Sequence, residues 1–529
     1  MDAAHHPRPP ASRRRLATLR KPLETMLGEV ESSGLHRRLG AGSLLVLGVA
    51  NILGAGIYVM TGQAAADYAG PAVLLSFVLA ALACGFTGLC YAELSSAIPV
   101  PGSAYSYCQV TLGEGCAWAL AWMVILEYVL AAAAVAAGFA GYLGSLLGDF
   151  GLAVAAWLST STVVATQRDG HTALAFSGGI NLVALLAALG AAGVMIAGVG
   201  RSALANAVLV LVKVAVLVAF VAVGARHVEA ANWTPFLPPN EGGFAYGWPG
   251  VLRAAAMLFF AYLGFETVSM AAAEARQPRR DVPLGILGSL VVCTLLYMAA
   301  GAVLTGLVPY RELGVPDPVA LAVDRIGWPG FAVVIKIGAL TGLASVLLAN
   351  AYGVSRMSLA IARDGLLPPL FARVHPRLRT PWLGNLAFGL VGALLAALLP
   401  IGVLGDLICL GIASAFIVVC IAVMWLRTHR PELRGGFRVP LGGVRIGGRW
   451  IGTVPVLGIV MCLAMMAPVL GDMLGQWRRG EVLPALILAA YLAAGAAVYL
   501  GYGQRRARRQ ALAAMDAHDE RGEQIHVRR

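Results

Sequence analysis

The sequence predicts an all-α integral membrane protein with twelve transmembrane helices. Three observations carry that expectation. The 529 residues are 59% hydrophobic and only 12% charged, whereas soluble domains carry about 25% charged residues. Mean hydropathy is +0.77. The apolar residues also fall into runs of about 20, the length a helix needs to cross the hydrocarbon core. The net charge of +12 is no nucleic-acid signal, because it gathers in the tails and in alternate loops.

Taken in order, residues 1–39 form a basic tail opening with Arg13-Arg14-Arg15, and KPLETMLGEVESSGLHRRLG suits a short surface helix. The tail is polar and arginine-rich and lacks the apolar core of a cleavable signal. The transmembrane unit, 40–503, divides into spans near 40–63, 70–98, 117–147, 178–198, 204–225, 248–273, 284–308, 329–360, 382–400, 403–427, 453–474 and 482–503. A polar, mostly basic tail follows at 504–529. With both termini in the cytoplasm, that side holds 29 of the 39 lysines and arginines and the opposite loops hold seven, Arg168, Arg226, Arg253, Arg311, Arg325, Arg478 and Arg479. Such a bias sets orientation. Eight cysteines without a CxxC exclude a metal cluster or disulfide framework and read as packing residues.

Two spans are interrupted. The first reads GVANILGAGIYVMTG from Gly48 to Gly62. Glycine costs about 1 kcal/mol relative to alanine inside a helix, so Gly54-Ala55-Gly56 is a place to unwind. In lipid, unwound backbone is tolerated only inside protein or along a wet cavity, where its amides and carbonyls become ligand groups. Small residues for close helix packing are the plainer reading of this stretch taken alone. The sixth span carries the second interruption, FFAYLGFETVSM from Phe259 to Met270. Breaks five spans apart point to a 5+5 inverted repeat with its site at the midplane, followed by two extra helices.

Lys213 lies in the middle of the fifth span, too deep for its stem to reach an interface comfortably, and an ammonium at that depth marks function. Other charges have plainer readings. Lys336 can snorkel outward, Asp406 complements a helix N-terminus, and Glu93 and Glu274, near cytoplasmic span ends, are expected to set loop geometry or make gate contacts with Arg276, Arg356 or Arg363. The nine histidines all fall outside the spans, which leaves no buried histidine relay.

Over nearly its whole length the chain resembles the amino acid–polyamine–organocation superfamily, most of all its cationic amino acid transporter branch and bacterial relatives. The resemblance rests on GAGIYVMTG, CYAELSSAIPVPGSAYSY, ILEY, NAVLVLVKVAVL, FFAYLGFE with EARQPRRDVP, and SRMSLAIARDGLLP, occurring together and in order. It implies that a substrate carboxylate is held by amides of Gly54, Ala55, Gly56 and Ile57. The substrate's α-amino group would be held by carbonyls of Ile52, Phe260, Ala261 and Leu263. It further implies that the Lys213 ammonium stands where sodium-coupled relatives hold sodium, near carbonyls around Ala50 and Leu53 and near Ser345. Proton coupling follows if the ammonium releases and recaptures a proton during transport. Glu127 in ILEY matches a glutamate of the branch and could pair with Lys213, anchor a helix or face a cationic substrate. Glu266 suits capping of the unwound turn, and Asn350 with Asn51 suits a polar side chain.

The expectation is a multi-pass protein of a bacterial inner membrane that imports amino acids by alternating access, driven by the proton motive force without a cofactor. Its substrate would be cationic (arginine, lysine, ornithine) or small and neutral. Its partners are the amino acid and the lipid bilayer, with no nucleic acid, and a single-span accessory subunit stays open. An exchanger, or a sensor that binds without flux, would use the same site. An enzyme is not expected, since no HExxH, no GxGD and no histidine occurs in a span. A channel would need polar stripes along several helices.

Overall fold

The computed structural model describes residues 38–99, 103–168, 171–198, 203–378, 380–433, 436–504 and 506. The two basic tails therefore lie, apart from their inner edges, outside the described residues. What is described is mostly helical. Eight helical stretches are long and apolar enough to cross a membrane, the first of them running from Ala41 to Ala97, and Leu182–Ala197, Val208–Gly224 and Trp382–Leu398 are shorter apolar helices.

The first stretch contains α1 (Ala41–Ile52), two π turns flanking Thr61–Ala64, a 3-10 turn and α2 (Val73–Ala97). A short α3 (Ser103–Thr111), which hydropathy alone does not announce, leads through Gly113 at φ 92° into α4 (Glu114–Asp149). The β1–β2 hairpin (Val163–Arg168 with His171–Phe176) precedes α5 (Leu182–Ala197) and α6 (Ala203–Gly224). Asn181 caps α5 by accepting the Ala184 N–H at 3.0 Å, satisfying one of the orphan donors of a helix start. The sixth crossing splits into α7 (Gly247–Leu258) and α8 (Glu266–Met270).

Then come α9 (Pro278–Leu307), a short α10 (Pro318–Arg325), α11 (Pro329–Arg363), α12 (Trp382–Leu398) and α13 (Ile401–His429). Three of these open on proline, which loses nothing there because the first N–H groups have no helical acceptor. A second hairpin, β3 (Gly443–Ile446) with β4 (Arg449–Gly452), connects α13 to α14 (Thr453–Arg478), and α15 (Leu483–Val498) closes the described chain. The two hairpins depart from a purely helical expectation, and both lie in connections between helices.

The core is built where α4 runs along α11 and α13, and where α1 and α2 flank α9. Alanine and glycine dominate the buried positions of α4, which lets backbones approach closely in the absence of a hydrophobic drive between helices. The broken crossings pass through the middle of this packing.

Candidate functional site

The site begins with two glycines. Past Ile52 the chain leaves the helix, with Leu53 extended at ψ 104°, and re-enters helical geometry in the π turn Gly56–Met60. In the sixth crossing a 3-10 turn, Phe259–Tyr262, ends at Leu263, and Gly264 takes φ 124° before α8. A Cβ on Gly264 would stand 2.6 Å from the backbone carbon of Asn51, and one on Gly56 would stand 2.3 Å from the Ala261 Cβ. Only glycine lets the two breaks touch.

The polar groups set free by unwinding are partly satisfied by neighbours. The Gly264 N–H donates to Glu266 Oε2 at 2.8 Å, and the Thr267 hydroxyl donates to the Gly264 carbonyl at 2.6 Å. Asn51 Nδ2 donates to the Leu47 carbonyl and to Thr267 Oγ1, at 2.8 and 3.1 Å, tying the first crossing to the sixth. The buried Tyr297 hydroxyl of α9 lies 2.7 Å from the Ile52 carbonyl oxygen and 3.0 Å from that of Ala261. Glu266 Oε1 is buried without a hydrogen bond among the described residues.

Between the breaks lies a small cavity of about 30 Å³. Ile52, Gly54, Ala55, Gly56, Phe260, Leu263 and Asn350 line it, as do Asn51, Gly264, Glu266 and Thr267. Ile57 and Ala261, named with them in the sequence, are not in the lining and are almost fully buried. The first N–H groups of a helix have no internal acceptor, and Ala55 and Gly56, which carry such groups, border the cavity. Tyr128 of α4 and Val346 and Ala349 of α11 complete the wall. Sequence reasoning missed those three, although Tyr128 sits in the ILEY motif and Val346 and Ala349 precede Asn350 by four residues and one.

Lys213 is 1% exposed. Its Nζ donates to the Ala50 carbonyl at 3.1 Å and to that of Leu53 at 3.4 Å, the two carbonyls flanking the end of α1. Its stem passes over Gly342 of α11. Ser345 is not among its hydrogen-bond partners within the described residues. Glu127 is buried on α4 beside Tyr128, close to Gly411 of α13, and forms no ion pair with Lys213. The structure thus brings the Ala50 and Leu53 carbonyls to Lys213, and among the described residues no hydrogen bond or ion pair joins it to Glu127 or Ser345.

Three charge clusters differ from their expected settings. Arg253, counted from the sequence with the external loops, is 1% exposed inside α7 and bridges Asp406 of α13 at 2.7 Å and Asp472 of α14 at 3.3 Å. Its guanidinium also lies over the Tyr68 ring. Asp406 is therefore an ion-pair partner rather than a helix-end charge. Lys336 does not snorkel free; Asp149 and Asp324 each hold it at 2.8 Å. Glu93 pairs with Arg427, whose Nε and Nη2 each donate to it at 2.6 Å, and not with Arg276, Arg356 or Arg363. A carboxylate takes whichever cation the helix packing brings to it, and all of these pairs but Lys336–Asp324 join residues 153 to 334 positions apart in the chain.

The family model described as amino acid permease matches residues 39–488. The chain is 40% identical to the methylthioribose transporter of Bacillus subtilis over 486 residues, 92% of this chain and 97% of the relative. It is 39% identical to the branched-chain amino acid permease BcaP of the same organism over 433 residues, 82% of this chain and 88% of the relative. To the vacuolar cationic amino acid transporter 4 of Arabidopsis thaliana it is 34% identical over 407 residues, 76% of this chain and 66% of the relative.

Proposed function

The chain belongs to the amino acid permease family, and from that premise we propose that it is a proton-coupled secondary transporter that imports an amino acid by alternating access. It is not an enzyme. In this reading twelve helices cross a bacterial cytoplasmic membrane with both termini inside, and the first ten form two inverted repeats of five. The observation that carries it is the contact of the Lys213 ammonium with the Ala50 and Leu53 carbonyls, at the edge of the cavity between the breaks.

The mechanism follows from what each group can do. Amides at Ala55 and Gly56, at the positive end of a half-helix, suit a carboxylate. Carbonyls at the ends of α1 and the 3-10 turn suit an ammonium. These groups are common to every amino acid, so the side-chain wall does the choosing. Glu266 and Asn350 favour a cationic side chain such as arginine, lysine or ornithine, and Val346 and Ala349 favour a small neutral one. The names of the relatives, which cover methylthioribose, branched-chain and cationic substrates, fit a shared frame with an exchangeable wall. Lys213 links the filling of that frame to the proton: if the end of α1 shifts during turnover, the ammonium loses its two carbonyls and, in a site of low dielectric, its proton. The proton motive force then drives uptake without a cofactor.

The test is uptake of labelled arginine, alanine, leucine and methylthioribose into proteoliposomes, with and without an inward proton gradient, in sodium-free buffer. Accumulation of an amino acid that follows the gradient is expected. A strict need for sodium, or uptake released only by preloaded amino acid, overturns proton symport.

A further inference from the structure

A second cavity lies at the end of the bundle where α2 and α13 finish, roofed by the β3–β4 hairpin. It has a volume of about 280 Å³ and is lined by Arg427, Arg430, Arg438 and Arg445 against a single carboxylate, Glu93. Both oxygens of Glu93 are already committed to Arg427, and one of them also accepts the Val439 N–H at 2.7 Å. Arg427 is fixed further by the Trp450 ring, 4.1 Å away. Arg430 faces Glu432 at 3.6 Å. Among the described residues no carboxylate pairs with Arg438 or Arg445, so the cavity has an excess of positive charge and a rigid floor.

The hairpin above it has two unlike faces. Residues directly opposite in an antiparallel pair share a face, so the pairing of Arg445 with Trp450 and of Val444 with Ile451 separates them. Arg445 and Trp450 turn toward the cavity. Val444 and Ile446 turn away and are 66% and 62% exposed, sharing that outer face with Ile451 and with the basic Arg449. The turn, Gly447-Gly448, has positive φ at both positions, as a tight two-residue hairpin requires, so these faces are held in place. An exposed strand face of this kind beside the ends of apolar helices suits contact with the apolar edge of a bilayer.

We propose that this cavity binds the phosphate headgroup of an anionic membrane lipid, with Arg438 and Arg445 as donors and the Val444–Ile446 face seated at the acyl boundary. Planar guanidinium groups match phosphate oxygens bidentately, and basic pockets at the membrane surface take anionic headgroups. The apolar face is what selects a lipid over free phosphate, since it has no role in holding a soluble anion.

The experiment is native mass spectrometry of the full chain in detergent, titrated with phosphatidylglycerol or phosphatidylcholine and competed with inorganic phosphate. Phosphatidylglycerol should be retained preferentially. Arg438→Gln with Arg445→Gln should weaken it by roughly 25-fold, the loss of two surface arginines from an anionic headgroup. Val444→Ser with Ile446→Ser should weaken it with all the arginines intact. Equal retention of the two lipids, or no change in the arginine variant, overturns the proposal. So does full competition by inorganic phosphate with no effect of the serine variant, which would make the cavity a free-anion site.

Discussion

Lys213 and Arg253 are equally buried, each 1% exposed, and have opposite surroundings. Arg253 faces two carboxylates, Asp406 and Asp472, drawn from two other helices. Lys213 faces two neutral carbonyls at the end of a broken helix. A charge matched by acids is neutralised in place and ties α7 to α13 and α14. A charge held by backbone dipoles has no acid beside it, and under the proposed mechanism those dipoles are the part that moves. Burial alone does not tell these two settings apart, but the kind of partner does.

That contrast can be broken most sharply at Lys213. Lys213→Ala is expected to abolish gradient-driven accumulation in proteoliposomes while leaving exchange of internal for external substrate. Stability should fall by about 1–3 kcal/mol for each carbonyl left unpaired. Gradient-driven uptake equal to that of the parent protein would remove Lys213 from the coupling.

Arg253→Met should act on stability first. It strands two buried aspartates, which costs about 3–5 kcal/mol, read as a lowered unfolding midpoint in detergent. Adding Asp406→Asn and Asp472→Asn should recover most of that loss, and no recovery would mean that the ion pairs are not its origin.

A third cation sharpens the comparison. Lys336 is fully buried, but its partners Asp149 and Asp324 are 29% and 44% exposed and can return to water. Lys336→Met should therefore cost only about 1 kcal/mol, well below the Arg253 variant in the same thermal assay. The smallest effect is expected at Tyr297→Phe, which removes one hydroxyl. About 1 kcal/mol corresponds to a KM for uptake raised about five-fold, with coupling to the gradient intact. An unchanged KM would detach the hydroxyl from the substrate site.

Much of this arrangement is legible in the sequence wherever its cause is local. Gly54, Gly56 and Gly264 advertise the breaks because glycine is where a helix fails at least cost. Lys213 stands out because a single ammonium in an apolar run has no local explanation. What is illegible is created by packing. Arg253 looks like a loop charge because its two aspartates lie 153 and 219 residues away, and Lys336 looks free because Asp149 is 187 residues away and Asp324, though near in sequence, lies on a separate short helix. Tyr297 is one aromatic among many in the spans until the fold places its hydroxyl between the two breaks. Tyr128, Val346 and Ala349 become a pocket wall only when α4 and α11 meet. The β3–β4 hairpin escapes hydropathy altogether, since eight strand residues leave no mark on a window as long as a span.

The Tyr297 hydroxyl has a consequence in hydrogen arithmetic. It lies within bonding distance of the Ile52 and Ala261 carbonyls, yet a phenol brings one hydrogen. Two acceptors on two different half-helices compete for it, and at any instant one goes short. One phenol hydrogen shared in turn by the Ile52 and Ala261 carbonyls ties the positions of the two half-helices to each other.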